Sequence, residues 1–240
     1  MSVGHGAVRE KAKVIIHDSW ESQANLSFFL ILEVLIAFVL PSLGVGRDDF
    51  RLYSNLGFTI MLISGVAIAW GRPKLFAVAV CVGGACLGLR WLSWWQGSLR
   101  TVLWSDWSTI MAGLVISFVL LAQVFRTGKV TNTRIQGAIA VYLLLGSVWS
   151  HAYHITEILH PGSFSFPPNE GLTAGDWSYF SFVTLTTVGY GDITPVRPIA
   201  RVLAVGEALT GQLYLAVMIA RLVAMEMVFW QQQNTGDNHS

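Results

Sequence analysis

Thr187-Val188-Gly189-Tyr190-Gly191-Asp192 decides how this chain is read. Gly189 and Gly191 stand two apart, and glycine alone reaches φ > 0 freely. A backbone with that freedom can turn successive main-chain carbonyls toward one axis. Such a row replaces the oxygens that a cation gives up on leaving water. Thr187 adds a hydroxyl at the inner end of the row, while Val188 and Tyr190 are expected to point away and pack behind it.

The surroundings of this stretch are apolar. Of 240 residues, 53% are hydrophobic and 12% charged, and mean hydropathy is +0.56. That balance fits a multi-pass membrane protein and not a soluble domain. A net charge of +1 gives no reason to expect a nucleic-acid partner. Cys81 and Cys86 lie in one apolar run and read as buried thiols, with a disulfide or metal pair as the alternative.

A bilayer crossing needs about 20 apolar residues. Six stretches qualify, at 26–45, 52–70, 74–92, 101–125, 135–156 and 197–229. No small-residue cleavage site follows the first, so it reads as a retained helix. With the N-terminus in the cytoplasm, nine basic residues fall inside: Arg9, Lys11, Lys13, Arg72, Lys74, Arg126, Lys129, Arg134 and Arg221. Six fall outside: Arg47, Arg51, Arg90, Arg100, Arg197 and Arg201. The bias follows the positive-inside rule, puts both termini in the cytoplasm and leaves the segment between the last two spans outside.

That segment is too short to cross. Thr173-Ala174-Gly175-Asp176 has the form of a capped helix start. Trp177 to Thr186 then supplies about three turns, whose C-terminal end would direct partial negative charge toward the membrane centre. Non-helical backbone at that depth is tolerated only where it lines a cavity.

Thr184-Leu185-Thr186-Thr187-Val188-Gly189-Tyr190-Gly191-Asp192, followed by Ile193-Thr194-Pro195, resembles the pore signature of the tetrameric potassium channels. The resemblance covers 135–229 and implies an all-α membrane protein. Its six transmembrane helices would be joined by a re-entrant pore helix and an extended filter. It implies potassium sites at Thr187, Val188, Gly189 and Tyr190, with Gly191 completing the row, and a homotetramer, since one filter sequence supplies a quarter of a ring. It places Tyr179, Thr186 and Asp192 as filter support. Tyr179 stands where many relatives have tryptophan, and its hydroxyl could hold Asp192. Val183 stands where some bacterial members carry a glutamate. Gly211, 20 residues after Gly191, falls at the family's hinge position; close helix packing is the other reason for a helical glycine. Gln212, Leu215 and Ile219 would line the cavity, the last two as an apolar gate. Glu207 falls about 140° from Gln212 at about 100° per residue, away from the axis, which suits a bond to the pore helix.

The resemblance divides the chain into an N-terminal segment 1–25, a four-helix domain 26–130, the pore domain 135–229 and a tail 230–240. The four-helix part resembles a voltage sensor in topology only, because no Lys or Arg lies between Arg100 and Arg126. Asp106 is the one charge there. Glu33 sits mid-span, with Asn55, Thr59 or Ser64 as possible partners. Trp91, Trp94, Trp95, Trp104 and Trp107 read as an outer aromatic belt. His151 and His154 share a helix face near His160 and form either an exposed rim or a weak metal pair.

The expected function is passive, potassium-selective conduction across the plasma membrane. K+ is the permeant ion, lipid the surrounding medium, and neither enzymatic chemistry nor a cofactor is called for. A non-conducting regulatory subunit and a haem-binding redox protein are the alternatives. Gln231 to Ser240 are too few for a ligand-binding domain.

Overall fold

The computed structural model describes residues 26–39, 47–68, 73–126, 130–166 and 174–237. The expected N-terminal segment 1–25, Arg72, Lys129, the helix-starting Thr173 and residues 238–240 lie outside them. Residues 26–39 form α1, which closes in a π turn at Leu35–Val39. Then come α2 (Arg47–Ile68), α3 (Pro73–Gln96), α4 (Leu99–Val124) and α5 (Asn132–Leu159). After them lie β1 (Phe164–Ser165), the short α6 (Ala174–Leu185), β2 (Thr194–Pro195) and α7 (Pro198–Asp237).

Among the described residues, four helices are long and apolar enough to cross a bilayer: Phe76–Gln96, Leu99–Val124, Asn132–Leu159 and Pro198–Val228. In α2 the apolar stretch is shorter, Asn55–Ser64. Helices suit this setting because each satisfies its own backbone hydrogen bonds without water.

Hydropathy located the helices but not their ends. Arg47 and Arg51 belong to α2 and Arg90 to α3, so these three are not loop charges. The Arg90 guanidinium lies 4.4 Å from the centre of the Phe58 ring. At the other end, α7 continues to Asp237, so the boundary at 229 does not mark the end of a helix and 230–237 is not an extended tail.

The core follows small residues. Between α4 and α5, Ala112, Gly113, Gly137, Ala138 and Ala140 are buried, the pattern by which membrane helices approach closely. Leu26, Phe29, Phe58, Leu62, Ile116, Leu120, Val141 and Leu144 fill the space between α1, α2, α4 and α5. Glu33 is buried beside them (1% exposed), and neither carboxylate oxygen has a hydrogen-bond partner among the described residues. The candidates do not reach it: Thr59 donates to the Asn55 carbonyl and Ser64 to that of Met61. Cys86 is buried, Cys81 is exposed, and both are free thiols. Trp91 is half-buried and donates to Thr59 Oγ1 at 3.3 Å. Trp94, Trp95, Trp104 and Trp107 remain exposed.

Candidate functional site

The filter stretch is built onto the end of α6. Thr186 N donates to the Phe182 carbonyl and Thr187 N to that of Thr184. Val188 N and Gly189 N both donate to the Val183 carbonyl, at 2.9 and 3.3 Å. The chain therefore leaves the helix tethered by its own last carbonyls. Beyond that point φ is positive at every second residue: 60° at Thr187, 60° at Gly189 and 82° at Gly191. In an ordinary strand, features of successive residues point to opposite sides. Inverting φ at alternate residues is the backbone pattern that turns their carbonyls to one. The glycines were legible in advance; Thr187 was not. A non-glycine residue at φ > 0 costs about 1–2 kcal/mol, and this is the only such residue among those described.

Both ends of the stretch are fastened. At the outer end the Tyr179 hydroxyl donates to Asp192 Oδ2 at 2.6 Å, and the Tyr179 and Tyr190 rings lie parallel at 6.4 Å. The bond to Tyr179 holds the Asp192 carboxyl below its ordinary range, and the same bond pushes the Tyr179 hydroxyl up to about 12. Ile193 N donates to Asp192 Oδ1 as well. Next, β2 pairs antiparallel with β1, Phe164 opposite Pro195 and Ser165 opposite Thr194. Glu157, at the end of α5, anchors the start of β1 by accepting from the amides of Gly162, Ser163 and Phe164. Behind it Tyr153, Phe164, Trp177, Phe180 and Ile193 form an aromatic cuff; its edge-to-face pairs give a rigid backing. The sequence placed Trp177 and Phe180 on the short helix and Ile193 in the signature, but nothing in it singled out Tyr153 or Phe164, because their partners are distant along the chain.

Glu207 bridges three helices. Ser181 of α6 donates to its Oε1 at 2.5 Å and Tyr153 of α5 donates to its Oε2. The carboxylate thus faces the pore helix and outer helix, away from the filter row.

At the inner end, α7 comes close under α6. A Cβ at Gly211 would lie 2.1 Å from the Leu185 carbonyl oxygen. Packing therefore accounts for this glycine, and α7 runs unbroken through it; the hinge reading is not needed to explain it. The next residue, Gln212, donates from Nε2 to Thr187 Oγ1 at 3.2 Å. Gln212, Leu215 and Ile219 are all exposed in the single chain, as are Val188 and Tyr190.

His151 Nδ1 donates to Asp106 Oδ1 at 2.9 Å and His154 Nδ1 to Oδ2 at 2.8 Å, so one buried carboxylate holds both half-buried rings through Nδ1. Among the described residues no cluster of three or more His, Cys, Asp or Glu could hold a metal.

Residues 138–227 match the family described as "Ion channel". Inward rectifier potassium channel Kirbac3.1 of Paramagnetospirillum magnetotacticum is 33% identical over 141 residues, 58% of this chain and 37% of that protein. Two pore potassium channel c of Oryza sativa subsp. japonica is 34% identical over 64 residues, 27% and 14% of the two chains. Potassium voltage-gated channel protein shk-1 of Caenorhabditis elegans is 40% identical over 68 residues, 28% and 13%. The chain thus spans a little over a third of the first relative and less of the others. No solved structure matches at a significant level. Segment 138–227 of this apolar helical chain, which holds residues 187–192, the short α6 before them and most of α5 and α7, is thus similar to ion channels, and the relatives it resembles are potassium channels.

Proposed function

We propose that four copies of this chain surround one axis and conduct K+ passively through a filter of main-chain carbonyls from Thr187 to Gly191. The observation that carries this reading is the recurrence of positive φ at 187, 189 and 191 immediately after a short helix that does not cross. A partly dehydrated cation is held by such carbonyls only if a closed ring of them is present, and one chain offers one arc. The exposed Val188, Tyr190, Leu215 and Ile219 then meet neighbouring copies or the central cavity. Residues 26–45 and 52–70 complete six crossings, with both termini in the cytoplasm of a plasma-membrane protein. The ion is the only non-protein component required.

Opening does not follow voltage through α4. Moving one charge through the field is worth about 2.3 kcal/mol per 100 mV, and α4 carries no basic residue between Arg100 and Arg126.

Purified protein in liposomes with a potassium gradient tests the proposal. Flux of K+ in clear preference to Na+, through pores whose open fraction does not change with imposed voltage, is expected; flux without that preference sinks it.

A further inference from the structure

Gln212 does more than face a cavity. The Thr187 hydroxyl has one proton and two lone pairs. Its proton goes to the Thr186 carbonyl at 2.7 Å, and Gln212 Nε2 fills one lone pair at 3.2 Å. One lone pair remains on an oxygen whose rotation is now blocked from two sides. The residue so held is the one with the unfavourable φ of 60°. The reach is made possible by Gly211, whose missing side chain lets α7 approach Leu185 and brings Gln212 beneath the filter.

We propose that Gln212 is a positioning residue for the innermost cation site: by pinning the Thr187 hydroxyl it sets how tightly that site holds a cation entering from the inner side. The inference rests on the channel reading above. Two effects oppose each other. The amide N–H brings a partial positive charge near the site, which weakens cation binding. Fixing the oxygen in place removes the cost of ordering it when the ion arrives, which strengthens binding. In the channel reading the hydroxyl would touch the ion while the amide stands one hydrogen bond, 3.2 Å, behind it, so ordering outweighs the repulsion.

The probe is Ba2+, a doubly charged ion close to K+ in size, applied in planar bilayers from the side of the α7 C-terminus. Gln212→Met keeps the length and loses the donor; block by Ba2+ is expected to weaken about tenfold, corresponding to about 1.4 kcal/mol. Gln212→Asn keeps the amide but falls short of Thr187, and should weaken block in the same way. A role confined to cavity polarity leaves Asn equal to the parent. On a Thr187→Ala background, Gln212→Met should add nothing. Unchanged or stronger block in both single variants overturns the inference, as does an Asn variant that blocks like the parent. Parent protein that passes no K+ in preference to Na+ overturns the channel reading instead, so the two failures are separable.

Discussion

Tyr179 and Asp192 meet at 2.6 Å beside the outer end of the filter, and neither is buried. The hydrogen bond favours the ionised carboxylate, so Asp192 keeps its charge below the ordinary aspartate value of about 3.9. Its contribution to the outer mouth is therefore present above that value and fades only as external pH falls beneath it. Solvent screening keeps that contribution small. Tyr179→Phe is expected to move the acid-induced fall in conductance to higher pH, measured by varying external pH alone; a curve that does not move shows the bond to be incidental. At this scale the sequence was informative where a residue type has one use. Gly189 and Gly191 announced positive φ. Thr187 did not, because its conformation is imposed by the bonds to Thr184, Thr186 and Gln212, and none of those is visible in a motif.

Helices were readable as apolar stretches, their ends were not. Hydropathy fades at the membrane boundary while the hydrogen-bonded ladder need not, which is why α7 outran its expected limit by eight residues, 230–237. What joins α6 to α7 was ambiguous in the same way: a glycine at 211 serves equally for bending or for contact. The contact is specific, since a Cβ there would meet a backbone oxygen, which cannot swing aside as a side chain can. Gly211→Ala is expected to lower stability by about 1–3 kcal/mol through overpacking, read as a lower melting temperature in detergent by tryptophan fluorescence. A variant that melts with the parent yet opens differently would favour the hinge over packing.

Across the whole molecule the four-helix part and the pore part are joined by polar bonds. Asp106 lies buried near the start of α4, and both imidazoles it binds lie near the end of α5. Hydrogen bonds to a charged group are worth about 1.5–3 kcal/mol each. Asp106→Asn removes the charge from both bonds, so it should destabilise the protein by about that amount. Proteolysis between α4 and α5 in detergent should then quicken; an unchanged rate would mean that the bonds contribute nothing net. The sequence showed Asp106 as a lone charge and the histidines as a pair, 45 and 48 positions away. Only the antiparallel return of α5 along α4 makes them one cluster.

A second fastening sits at the opposite end of the same two helices. Arg221 of α7 lies over the Phe125 ring at 5.7 Å, and Glu226 accepts from Val130 N just before α5 begins. The two fastenings bear on how such proteins can be recombined. A pore excised at the start of α5 would carry His151 and His154 without their carboxylate, and Arg221 without its ring. The chain is divisible in sequence at that point but not in energy. A graft of this pore onto another four-helix unit keeps these contacts only where the recipient supplies an acid opposite the two histidines and an aromatic ring at the far end of the same helix. These few residues, rather than the filter, set the terms of exchange.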